Sequence, residues 1–296
     1  MNAPERRYTG ELPLAFRCAC GWMKYAPRAR GWLPRRIGRT IGRGMSCAIR
    51  TRAGARLAVD PINLDFYCQV QLHNGVWEED VLDACLRVIQ PGDVFFDIGA
   101  NAGIVTVDVA WTFGESVTIH AFEPQPTLAR TLAISIGLNT FTRVHLHRLL
   151  LGDAPGVADL YVADHAIHAS LISREVGAAP LSCGMETIDR LVAAGTVPAP
   201  TVVKVDVEGA ELRVLQGARD TFSAAPPVIV FEADDNMMRF GYTQRELFEL
   251  MRSLADYAFH RIDGGKWVPV GPADEAVMGN YVALPPRWRM PGGRTT

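Results

Sequence analysis

Two well-separated segments constrain this chain more than anything else in it: Val94-Phe95-Phe96-Asp97-Ile98-Gly99-Ala100-Asn101-Ala102-Gly103 and Lys204-Val205-Asp206-Val207-Glu208-Gly209-Ala210-Glu211. Each reads as an apolar strand that ends in an acidic residue and turns through glycine into a helix. Open parallel sheets bind small ligands in the crevice beyond the carboxyl ends of their strands, so two such ends imply one shared pocket. Val94 to Phe96 is a continuous apolar run suited to a strand buried on both faces. Gly99 and Gly103 let the chain turn sharply and let a ligand come close. The stretch from Ile104 to Trp111 reads as a helix whose first amides would point at that ligand. Asn101 stands where a dinucleotide fingerprint needs its second glycine, and no third glycine follows at the right spacing. Asp97 in the turn would repel a pyrophosphate but would pair with an ammonium group.

A second strand, Val117 to Phe122, closes on Glu123-Pro124. An acidic residue at the end of the strand after the glycine turn is placed to accept both hydroxyls of a ribose. The plain alternative for Glu123 is a solvated strand-end carboxylate. An ammonium, a ribose and no pyrophosphate describe S-adenosylmethionine better than a nicotinamide dinucleotide.

These blocks, with Val214-Leu215-Gln216-Gly217-Ala218 and Thr187-Ile188-Asp189-Arg190-Leu191, resemble the FkbM family of S-adenosylmethionine-dependent methyltransferases. Gly75-Val76-Trp77-Glu78 resembles a short motif that precedes the glycine turn in that family, which adds Glu78 to the candidate donor-binding set. The resemblance spans about residues 70 to 285 and is most specific at Lys204–Glu211. It implies a Rossmann-like class I methyltransferase fold and methylation of a hydroxyl on a saccharide, glycolipid or secondary metabolite. The donor site then comprises Glu78, Asp97, Gly99, Ala100, Asn101, Gly103, Glu123 and Pro124. Asp153 is placed to reach the adenine amino group or, equally, to serve as a turn residue.

Apolar strand candidates recur near 94–98, 117–122, 144–150, 201–206, 228–232, 258–262 and 280–284, with helical patterns at 77–89, 127–137, 208–222 and 243–257. The alternation predicts an α/β fold: a mostly parallel seven-stranded sheet, helices on both faces, and an antiparallel last strand entered through a hairpin. Residues 60–296 would form this domain, with 152–200, poor in periodicity, as a cap over the substrate.

Charge is distributed unevenly. From Leu12 to Val59 there are eleven Lys and Arg and no Asp or Glu, while the whole chain has net charge −2. Residues 1–59 therefore read as a basic arm, partly helical or disordered, that meets an anionic partner. Trp22, Tyr25 and Trp32 interleave with the charges, which suits an anionic membrane surface or lipid-linked substrate, and less well a nucleic acid. The alternative is a solvated extension that pairs with the acidic body. No apolar run approaches the ~18 residues of a membrane span, and no secretory signal is visible. The six cysteines lack the spacing of a disulfide framework. A cytoplasmic protein, peripheral to a membrane at most, is expected.

Methyl transfer from a sulfonium requires a positioned nucleophile and a group to take its proton. Asp206, at the end of its strand, is the first candidate. Lys204 projects from the same face of the strand and would orient it. Glu208 begins a helix, as an active carboxylate or a cap, and His168, in the weakly patterned segment, is a candidate base. Asp206 with Glu232 would suit Mg²⁺, although nothing in this reading requires a metal. Two competing functions remain: a nucleic-acid methyltransferase that uses the basic arm, and a donor-binding scaffold without activity.

Overall fold

The computed structural model describes residues 12–25, 32–40, 47–162, 169–170, 180–271 and 277–289. Helices α1 (Leu14–Tyr25) and α2 (Trp32–Thr40) come first, then a hairpin of β1 (Ala48–Arg50) and β2 (Arg56–Ala58), then α3 (Leu64–Leu72) and α4 (Glu79–Val88). An alternating core follows: β3 (Val94–Ile98), α5 (Ile104–Phe113), β4 (Thr118–Phe122), α6 (Pro126–Leu138) and β5 (Val144–His147). Next come β6 (Leu150–Leu151), β7 (Gly156–Val162), β8 (Ala169–Ser170), β9 (Leu181–Glu186) and α7 (Ile188–Ala193). The core resumes as β10 (Val202–Val205), α8 (Glu211–Gln216), α9 (Arg219–Ala224), β11 (Val228–Ala233) and α10 (Gln244–Leu254), ending in β12 (Ala258–Asp263), β13 (Lys266–Pro269) and β14 (Gly279–Leu284).

The main sheet has the order β13-β12-β14-β11-β10-β3-β4-β5. Strands β11, β10, β3, β4 and β5 are mutually parallel, and β14 runs antiparallel to both of its neighbours, β11 and β12. This is the Rossmann-like class I arrangement, with one difference at the edge. The hairpin forms between β12 and the unforeseen eighth strand β13, through Gly264 and Gly265 at positive φ, and β14 inserts between β12 and β11.

Alternation along the central strands places a helical layer on each face. Phe96, Ile98, Val203, Val205, Ile229 and Phe231 pack with Val214, Leu215, Leu247, Phe248 and Met251 of α8 and α10. Phe95, Val202, Val228 and Val230 point the other way, onto Leu82 and Cys85 of α4 and Val109 of α5. The helix read over 208–222 is two short helices. A Cβ on Gly217 would lie 2.0 Å from the Gly152 carbonyl oxygen, and this close approach falls at the break.

The basic segment contributes structure to the body. Phe16, Ala19 and Met23 of α1 are buried in one cluster with Tyr67 and Cys68 of α3 and with Ala100, Ala102 and Ile104 of the glycine turn. Residues 150–186 include a second sheet of order β6-β9-β7-β8, whose inner side carries Leu150, Leu160 and Cys183. Thr187 caps α7 by accepting from the Arg190 amide, and Asp189 accepts from the amides of Asp220 and Thr221 at the start of α9. No helix among the described residues is long and apolar enough to cross a membrane.

Candidate active site

The end of β3 turns back under the end of β4. The amides of Gly99 and Ala100 both donate to the Phe122 carbonyl at 3.0 Å. Gly99 has φ +74°, and a Cβ there would sit 1.9 Å from the Asp206 carbonyl oxygen, so only glycine lets the two strand ends meet. Gly103 is held as tightly, with Leu132 where its Cβ would be. Asn101 sits in the left-handed region at φ 53° and presents its amide to Glu123 Oε2 at 2.8 Å. The Gln125 amide donates to Glu123 Oε1, also at 2.8 Å. Two backbone amides thus fix both carboxylate oxygens, which retain lone pairs for further donors.

The second block folds around its own glutamate. Glu211 is buried, and its Oε1 accepts from the amides of Val207 (3.0 Å) and Gly209 (3.2 Å). Tyr242 locks the same loop by donating its hydroxyl to the Gly209 carbonyl. Glu211 is therefore the structural partner of the loop. Glu208, held at φ 56°, lines the cavity from this loop. Beneath both strand ends lies Lys204, whose ammonium donates to the Gly99 carbonyl at 3.2 Å and pairs with Asp97 at 3.4 Å and Asp206 at 3.3 Å. Asp97 is fully buried and also accepts from the Thr106 hydroxyl at 2.6 Å. It faces Lys204, not the cavity, and its part is to anchor the turn that a ligand would touch.

The two loops border a cavity of about 430 Å³, within the ~300–1,000 Å³ usual for small-molecule sites. Gly99, Asn101, Glu123 and Pro124 line one part, and Leu149, Leu150, Leu151 and Leu160 supply an apolar wall. Asp206, Glu208, Glu232 and Asp234 line another, and Glu78 completes that side. Glu78, like Asn101 and Glu208, is held at positive φ, so three of the cavity's non-glycine residues occupy a costly backbone region. Burial raises the Glu123 carboxyl to about 7 against its two amide donors. Burial, with Asp206 and Asp234 close by, raises Glu232 to about 8. Burial opposes the charge on Lys204, but Asp206, Asp97 and Glu78 together outweigh it and push its pKa up. The cavity holds more carboxylates than cations, a setting that favours a ligand bearing positive charge.

Among the residues expected in the site, Glu78, Gly99, Asn101, Glu123, Pro124, Asp206, Glu208 and Glu232 converge on this cavity. Asp97, Ala100, Gly103 and Lys204 are buried behind it or shape its turn. Asp153 is exposed and stands outside the wall, and His168 lies outside the described residues. Among the described residues no group of three or more His, Cys, Asp or Glu is set to hold a metal ion. Sequence reasoning missed Arg35, Asp65 and Gln69, which line the cavity from α2 and α3. Arg35 Nε donates to Asp65 at 2.8 Å, and nothing local in either helix signals that pairing.

The Methyltransferase FkbM domain matches residues 97–260, more than half of the chain. The chain belongs to the FkbM methyltransferase family. It is 31% identical over 153 residues to hexuronic acid methyltransferase AglP of Haloferax volcanii, a match covering 52% of this chain and 61% of that protein. Methyltransferase 1 of Beauveria bassiana is 29% identical over 196 residues, 59% of this chain and 78% of that protein. Among solved structures, methyltransferase FkbM of Methylobacillus flagellatus aligns with TM-score 0.45 and 16% identity over 76% of this chain and 54% of that one. The FkbM match begins at Asp97, so the basic helices and the wall they contribute lie ahead of it.

Proposed function

We propose that this FkbM-family chain transfers a methyl group from S-adenosylmethionine to a hydroxyl of a saccharide, glycolipid or secondary metabolite. The observation that carries the reading is the pairing of Glu123, fixed by the Asn101 and Gln125 amides, with Asp206 in the wall of the same cavity. Glu123 would accept the ribose hydroxyls, and the leucine wall would cover the adenine. The acidic side would face the positive charge of the donor. When bound, S-adenosylmethionine supplies a methyl group on a cationic sulfur. The second sheet, which brings Leu150, Leu151 and Leu160 to the cavity, would act as the substrate cap.

Asp206 is partly exposed, with its side chain at 27% accessibility, and Lys204 fixes its orientation from below. It would take the proton of the acceptor hydroxyl as that oxygen acquires the methyl group. Glu232, with its pKa near 8, holds a proton at neutral pH and would donate to a second acceptor oxygen. The hexuronic acid methyltransferase relative supports a saccharide acceptor. Glu208 would help hold it, and no metal is invoked for the proton transfer.

The test is transfer of radiolabelled methyl from S-adenosylmethionine to a panel of saccharides and uronic acids. Wild type should label at least one acceptor, and Asp206→Asn should lose about two to four orders of magnitude in rate with donor affinity kept. Donor binding with no transfer to any acceptor in the panel, by a protein that Asp206→Asn leaves unchanged in every respect, would favour a silent scaffold.

A further inference from the structure

The outer face of α1 and α2 is unlike an ordinary solvated helix surface. Leu14, Tyr25 and Trp32 are 73%, 78% and 57% exposed. On α1, Leu14, Arg17, Cys18, Gly21, Lys24 and Tyr25 fall at helical spacing opposite Phe16, Ala19 and Met23, which are buried on the body. A Cβ on Gly21 would meet nothing, so this side of the helix is open. The start of α2 joins the same surface, with the Trp22 and Trp32 rings 6.3 Å apart. Exposed Arg17, Lys24 and Arg36 surround these apolar groups, and neither helix contains an acidic residue. A solvated face would mix charges of both signs and would not expose a leucine, a tyrosine and a tryptophan together.

We propose that this face docks on a bilayer containing anionic phospholipid. Basic side chains meet the lipid headgroups, while Trp, Tyr and Leu enter the boundary between headgroup and acyl chain. Single-stranded RNA is the rival anion, and it needs free aromatic faces to stack its bases. Here Lys24 Nζ lies 5.5 Å from the centre of the Tyr25 ring, and the Arg36 guanidinium 5.6 Å from that of Trp32. One face of each ring is thus shared with a cation of the protein itself, which leaves less ring surface for a base to stack on. Leu14 offers no stacking face at all.

The surface adjoins the cavity. Arg35 lies between Trp32 and Arg36 in α2, yet its side chain turns inward to Asp65 and lines the cavity wall. Docking would therefore hold the cavity close to the membrane and deliver an acceptor saccharide carried on a lipid. This last step rests on the proposed methyl transfer, whereas docking itself does not.

The experiment is co-sedimentation of the full chain with vesicles of phosphatidylcholine alone and of phosphatidylcholine mixed with phosphatidylglycerol. Binding is expected for the mixed vesicles only, and it should weaken as salt rises. At about fivefold for each basic residue near the surface, the triple variant Arg17→Glu/Lys24→Glu/Arg36→Glu should bind at least about a hundredfold more weakly. Leu14→Ser/Trp32→Ser should weaken binding about tenfold or more while leaving the charge intact. Both variants change exposed residues, and S-adenosylhomocysteine binding measured in parallel should match that of wild type. Equal binding to both kinds of vesicle, no binding, or variants that bind like wild type would overturn the proposal. So would capture by polyuridine that mixed vesicles fail to displace. Vesicle binding without S-adenosylhomocysteine binding would leave the surface standing and remove the methyl-transfer reading; the reverse result would remove only the surface.

Discussion

Lys204 lies directly opposite Asp97 in the register of two parallel strands, and its buried ammonium joins that carboxylate to Asp206. One cation thereby ties the acid beneath the glycine turn to the acid in the cavity wall. Removing one partner from a buried ion pair leaves an uncompensated charge and costs about 3–5 kcal/mol. Lys204→Met should lose stability on that scale in denaturant unfolding, and methyl transfer with it. Adding Asp97→Asn should restore much of the stability but none of the activity. A single-variant loss below about 1 kcal/mol, the scale of an exposed pair, would show that the pair does not hold these strand ends together.

The titrating groups of the fold pull stability in opposite directions with pH. Burial raises Glu123 and Glu211 to about 7 and Glu232 to about 8. The folded chain then keeps protons that the unfolded chain releases, so their contribution falls as pH rises from the ordinary carboxylate range through 7 to 8. Burial, then His147 and His145, lowers His120 to about 4, and burial also lowers His147. Their rings meet at 2.9 Å between His120 Nδ1 and His147 Nε2. For these groups stability is full above the normal histidine pKa and falls as pH drops toward 4. Melting temperature of the free protein should peak on the acid side of neutrality. A cationic, ribose-bearing ligand favours the ionised carboxylates, so its binding should release protons and tighten from about pH 6 to 8. Calorimetry in buffers of different ionisation enthalpy reads this directly, and binding independent of buffer and pH would refute it.

Glu208 holds a left-handed backbone at φ 56°, a conformation that costs a side-chain-bearing residue about 1–2 kcal/mol. Glu208→Gly removes that strain but gives up chain entropy of about 0.5–1 kcal/mol. The expected result is a protein as stable as wild type, or up to about 1 kcal/mol more stable, with reduced methyl transfer. Loss of more than about 1 kcal/mol with activity unchanged would mean that the carboxylate serves the fold and not the site.

Local pattern made the sheet legible. Runs such as Val94–Phe96 and Val228–Phe231 are apolar on both faces, and no soluble element other than a buried strand accommodates them so briefly. Glycine and acid spacing also announced Glu123, Asp206 and their turns. Asp97 was legible as the acid of the glycine turn, but its neighbour was not, because sequence spacing does not show that Lys204 of a distant strand lies opposite it. The helix break at Gly217 depends on a contact with Gly152, and the wall from Arg35 and Asp65 on a contact between helices. Such pairings have no local signature. Strand β13 is short and largely exposed, so no apolar run marked it.

Calorimetric titration with S-adenosylhomocysteine tests the donor site most directly. Wild type should bind at micromolar concentration, with or without EDTA. Glu123→Ala, which would remove the two charge-assisted hydrogen bonds proposed to the ribose, should bind at least about a hundredfold more weakly. A folded wild type that does not bind, or a Glu123→Ala variant that binds equally well, would contradict the account.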